Sequence, residues 1–183
     1  MPGECDRPSD GTIKEGTIKE KWKTEKRERE KTMKSRVEEA VQTFEAGFGC
    51  AQAVFATYAD LFGMERETAL KLASPLGGGV GRMREICGTV SGMALLTGLK
   101  EGNTDPKDNA GKERIYTLVR EMSDLFREEN GAIVCKELLG KRIREQSARP
   151  EERTPEYYAG RPCSRLVASA AKIVEEVLLE DMD

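Results

Sequence analysis

Ile115, Leu118, Val119, Met122, Leu125 and Phe126 fall on the i, i+3, i+4, i+7 template without a gap, the spacing that lines one face of a helix. The same period recurs elsewhere. Met33, Val37, Val41, Phe44 and Phe48 make one stripe, and Val54, Tyr58, Leu61 and Phe62 a second. Further helices are predicted over Glu65–Ala73, Glu85–Leu99 and Cys135–Leu139, and a last one carries Leu166, Val167, Ala170, Ile173, Val174, Val177 and Leu178. No stretch reads as an alternating strand. The fold class is therefore all-α: a compact helical bundle.

The bundle has an appendage. Residues 1–36 hold 11 Lys/Arg against 8 Asp/Glu and almost no apolar side chains, whereas the remainder holds 19 against 25 and nearly all of the apolar ones. Residues 11–15, GTIKE, repeat directly at 16–20 and run into KWKTEKREREK. Such a charge-dense segment cannot bury a core of its own. Residues 1–33 read as a charged, partly disordered or helical N-terminal arm, and 34–183 as the helical domain. The arm is a solvated tail or, with Trp22 as anchor, a dimerisation or partner arm that would make the protein a homodimer.

The breaks between helices have recognisable causes. Asn103-Thr104-Asp105-Pro106 is a turn and helix stop, and Asn130-Gly131 is a C-cap pair. Residues 141–161, polar and holding Pro150 and Pro155, read as a long surface loop.

The chain contains no histidine. That excludes Ser–His–Asp and Cys–His nucleophile pairs, His-ligated zinc, facial-triad iron and His-ligated haem within this chain. A pI near 5.4 and the lack of a basic stripe argue against nucleic acid as partner. No segment has the length of a membrane span, and MPGECDRPSDG lacks the apolar core of a signal peptide, so the expected location is cytoplasmic.

Four of the five cysteines fall at predicted helix starts. Cys50 follows Gly47-Phe48-Gly49, Cys87 follows the glycine-rich stretch 77–81, Cys135 follows Asn130-Gly131, and Cys163 follows Pro162. A helix N-terminus offers unpaired N–H groups and the positive end of the macrodipole, both of which favour thiolate. The same N–H groups can bond the sulfurs of an iron–sulfur cluster. The plain alternative is that these cysteines pack as small hydrophobes. Their spacings of 37, 48 and 28 residues match no zinc ribbon or ferredoxin. Cys5, between Glu4 and Asp6, reads as incidental.

Gly78, Gly79 and Gly81 precede the fourth helix, and Gly88 and Gly92 share one of its faces. The loop matches neither dinucleotide nor P-loop patterns. These five glycines are instead expected to let backbone, a partner thiol or a bound cluster approach Cys87. Arg82 and Arg84 are expected to favour a thiolate there.

Taken together, Phe48-Gly49-Cys50-Ala51, Leu76–Met83, Glu85–Gly92, Cys135–Gly140 and Cys163 before a helix resemble the redox-active family named for its cysteine pattern, C_GCAxxG_C_C. The family's CGAxxG motif reads here Cys87-Gly88-Thr89-Val90-Ser91-Gly92, with threonine in place of alanine. The resemblance covers about residues 37–180 and implies that Cys50, Cys87, Cys135 and Cys163 are the family's four cysteines. It also implies a kinship with the module of split-Soret cytochromes, without the haem motifs.

Three functions remain open at this point. In the first, thiol–disulfide exchange or electron transfer, Cys87 attacks, Cys50 resolves, Cys135 and Cys163 complete the set, and a redox protein is the partner, which makes the chain an oxidoreductase or an accessory electron carrier. In the second, the same four cysteines hold an iron–sulfur cluster or another metal. In the third, the chain is a non-catalytic helical interaction module.

Overall fold

The computed structural model describes residues 34–140, 147–180 and 182; the arm of residues 1–33, with Cys5 and Trp22, lies outside the described residues. Among the described residues there are eight α-helices and no strand. They are α1 Val37–Glu45, α2 Cys50–Tyr58, α3 Arg66–Ala73, α4 Gly88–Glu101, α5 Asn109–Asn130, α6 Cys135–Leu139, α7 Pro155–Ala159 and α8 Cys163–Ile173. The all-α reading holds, and Ser35–Met182 forms one compact unit.

Helix α2 is apolar around most of its circumference, which makes it the central helix. Ala51, Ala53, Val54, Phe55, Ala56, Thr57 and Tyr58 are all buried. Its neighbours present one face each: α1 turns Ala40, Thr43 and Phe44 inward, and α8 turns Leu166, Val167, Ala170, Ala171 and Ile173 inward. Burying side chains the size of Phe44, Phe55 and Phe126 stabilises the fold by ~1.5–3 kcal/mol each relative to exposure. Helix α4 packs on α2 through its glycine face. A Cβ on Gly92 would lie 3.0 Å from the Val54 Cβ and 3.1 Å from the Ala51 carbonyl oxygen. The expected close approach at Gly88 and Gly92 is therefore a helix–helix contact.

The helix ends are capped by side chains and by glycine. Gln52 reaches back to the Gly49 N–H at 2.8 Å, Glu65 accepts from the Thr68 N–H at 3.0 Å, and Asp108 accepts from the Gly111 N–H at 2.7 Å. Gly131 closes α5 in the left-handed region, at φ 89°. The Tyr58 hydroxyl and the Arg36 N–H both donate to Glu175 Oε1, at 2.8 and 2.7 Å, which ties the start of α1 and the end of α2 to the turn that follows α8.

Three details differ from expectation. Phe48 lies beyond α1 and is exposed, because the helix stops at Glu45 and Gly47 turns the chain at φ 103°. The fourth helix begins at Gly88 rather than Glu85, because residues 84–87 pair with 133–136 instead. The expected loop 141–161 contains α7, started by the Thr154 cap and by Pro155 in its first turn. No helix among the described residues is long and apolar enough to cross a membrane.

Candidate functional site

Cys50, Cys135 and Cys163 are the first residues of α2, α6 and α8, and Cys87 is the N-cap of α4. All four helix-start placements hold. Folding brings the four thiols into one cluster, each close enough to feel charge on the other three. All four are free cysteines; Cys87, Cys135 and Cys163 are buried and Cys50 is half-buried.

Two backbone devices assemble the cluster. The first is an antiparallel bridge between Ile86 and Val134. The Cys87 N–H donates to the Ile133 carbonyl at 2.8 Å, the Cys135 N–H to the Glu85 carbonyl at 2.6 Å, and the Lys136 N–H to the Arg84 carbonyl at 3.0 Å. The starts of α4 and α6 are thereby held side by side. The second is the loop before α4, where Gly78, Gly79, Val80, Gly81, Arg82 and Arg84 all have φ between 54° and 73°. Three of these are not glycine, and left-handed backbone there costs ~1–2 kcal/mol per residue. Such strain is characteristic of functional sites.

The glycines were expected to serve the neighbourhood of Cys87. Gly79 serves Cys135: a Cβ there would lie 2.8 Å from the Cys135 Cβ and 2.7 Å from the Glu85 nitrogen. Gly88 serves Cys50: a Cβ there would lie 3.3 Å from the Cys50 Cβ and 3.0 Å from the Ala51 nitrogen.

The thiols are not equivalent. Cys50 and Cys163 act on each other and shift in opposite directions: Cys163 is drawn below the usual thiol range and Cys50 is raised well above it. Burial opposes ionisation of Cys163, but Arg161, Arg153 and Arg84 favour it. Cys163 is thus the more acidic thiol of the two and Cys50 the less acidic. Burial pushes Cys87 up to about 11, against the pull of the Thr89 hydroxyl, 3.1 Å from its sulfur, and of the Thr89 N–H. Burial also raises Cys135, against the pull of the Arg84 cation. Helix starts alone therefore do not make thiolates here; desolvation outweighs them unless cations are added.

Those cations come mostly from a region the sequence reading passed over. Arg153 lies over the rings of Phe44 and Tyr157, at 4.9 and 4.6 Å, and Arg161 lies 4.5 Å over Tyr157. Glu151 pairs with Arg82, Arg84 and Arg161. Arg84 acts on Cys135 and Cys163, and its backbone pairs beside the start of α6. A readable signal existed in Arg161-Pro162-Cys163, a cation two residues before a helix-start thiol.

A family model described as "Putative redox-active protein (C_GCAxxG_C_C)" matches residues 48–177. The chain belongs to this family. The C_GCAxxG_C_C match takes in all four clustered cysteines, the left-handed loop and Arg82, Arg84, Arg153 and Arg161. No curated protein and no solved structure matches the chain. Among the described residues, no three His, Cys, Asp or Glu side chains are arranged to hold a metal ion.

Proposed function

We propose that this member of the C_GCAxxG_C_C family performs thiol–disulfide exchange with a redox partner protein, through Cys163 and Cys50. The observation that carries this reading is the placement of those two thiols at the starts of α8 and α2, acting on each other, with Arg161, Arg153 and Arg84 favouring the ionised form of Cys163. The sequence placed the attacking role at Cys87; its burial favours Cys163 instead.

The Cys163 thiolate attacks one sulfur of a partner disulfide. A bond forms between that sulfur and Cys163 Sγ, the partner's S–S bond breaks, and its electron pair leaves on the second partner sulfur. Cys50 then loses its proton, attacks Cys163 Sγ and expels the first partner sulfur as thiolate. The partner gains two electrons and a Cys50–Cys163 disulfide is left. Cys87 and Cys135, both held protonated, are a second thiol pair beside the first, suited to passing the disulfide onward as an electron carrier would.

The test is stoichiometric. Reduced protein treated with a small disulfide is expected to lose two thiols reversibly, and Cys50→Ser to accumulate a stable mixed disulfide on Cys163. Equal, slow reaction of all four thiols would overturn the reading.

A further inference from the structure

Three guanidinium groups converge on a single carboxylate beside the thiols. Glu151 Oε1 lies 3.3 Å from Arg82, 3.6 Å from Arg84 and 2.5 Å from Arg161. Arg84 and Arg161 expose only 5% and 7% of their side chains and Arg82 13%, while Glu151 exposes 26%. Three enclosed cations against one carboxylate leave an excess of positive charge that is costly to bury. Ionisation of Cys163, which these cations favour, would balance one charge. Two N–H donors remain: Nε of Arg82 and Nε of Arg84 are buried and have no hydrogen-bond partner among the described residues. Arg84 also favours the ionised forms of Cys135 and Cys163, so its charge acts on the thiols as well as on the carboxylate.

Enclosed, forked donors of this kind match paired oxygens of a small oxyanion. Glu151 already shows where such oxygens sit. It is carried on the stretch between residue 147 and α7, outside any helix, and is the most exposed member of the group. We propose that Arg82, Arg84 and Arg161 form a binding site for a small sulfur oxyanion of the thiosulfate class, with Glu151 as its built-in competitor, and that Cys163 attacks its outer sulfur. This rests on Cys163 being the reactive thiolate of the preceding section.

The step balances without an external oxidant. A bond forms between Cys163 Sγ and the outer sulfur, the S–S bond of thiosulfate breaks, and its electron pair leaves on sulfite, whose new charge the arginines receive. Cys163 is left as a persulfide. Cys50, on losing its proton, attacks Cys163 Sγ and releases hydrosulfide, which leaves the Cys50–Cys163 disulfide. The arginines bind substrate and stabilise the leaving group.

The experiment uses the reduced full chain with two probes. Sulfite binding is followed by calorimetry, and thiosulfate reaction by sulfite release and by mass gain of one sulfur on Cys163 in the Cys50→Ser protein. Sulfite is expected to bind, Glu151→Gln to bind it roughly tenfold more tightly through loss of a competing charge worth about 1.4 kcal/mol, and Arg84→Gln to lose it. The gain in Glu151→Gln cannot come from misfolding. Equal sulfite affinity in all three proteins, or no sulfur on Cys163 while it still reacts with a neutral pyridyl disulfide, would overturn the proposal. A Cys163 inert to the pyridyl disulfide as well would instead remove the thiol-exchange reading beneath it.

Discussion

The hydroxyl of Thr89 lies 3.1 Å from the sulfur of Cys87, and both groups are buried. Threonine stands here where the resembled motif has alanine. In an enclosed site one hydroxyl is a large part of what a thiolate can find for support, since burial alone drives the proton back onto sulfur. The family's motif position thus carries a local adjustment of one thiol.

Thr89→Ala is therefore expected to move Cys87 further above its value of about 11 and to slow its alkylation at alkaline pH, roughly tenfold for each 1.4 kcal/mol of hydrogen bonding lost. Alkylation rate against pH, read peptide by peptide, checks this. An unchanged Cys87 profile would show that the hydroxyl does nothing for the thiolate.

Cys163 has the opposite sign. Its ionisation is favoured in the folded state, so it contributes stability that is fully present above the unfolded thiol's titration and is lost as pH falls through its folded one. Reaction with a neutral disulfide should persist below the pH at which an ordinary thiol stops reacting. Arg161→Gln should move that limit upward without changing the reaction of Cys87. The pH–rate profiles of the two proteins decide it.

The left-handed loop gives a stability prediction with an internal control. Gly79→Ala must adopt φ 73° and place a Cβ 2.8 Å from the Cys135 Cβ, whereas Gly81→Ala meets φ 54° with open space. Strain of ~1–2 kcal/mol is expected for both, with ~1–3 kcal/mol more for Gly79 from the overlap. Denaturant unfolding should rank Gly79→Ala clearly below Gly81→Ala. Equal losses would mean that Gly79 is needed only for its backbone angle.

Much of this was legible in the residues. The 3.6-residue period gave the helices because burial of one face is what holds them, and the Asn130-Gly131 pair marked the end of α5. The four cysteines were separable from Cys5 by their position at helix starts. What stayed hidden depends on contacts between distant segments. The bridge from Ile86 to Val134 has no local pattern, yet it shortens α4 and sets Cys87 beside Cys135. The order of thiol acidities also could not be read, because helix starts favour all four alike while burial and Arg153 or Arg161 act through the tertiary fold. The Thr154-Pro155 start of α7 was readable and was masked by the polarity of its surroundings.

The account turns on which two sulfurs pair. Peptide mapping by mass spectrometry after mild oxidation of the native protein tests it most directly. A single predominant Cys50–Cys163 linkage is the predicted result; a first disulfide confined to Cys87 and Cys135, or four thiols left unlinked, would contradict it.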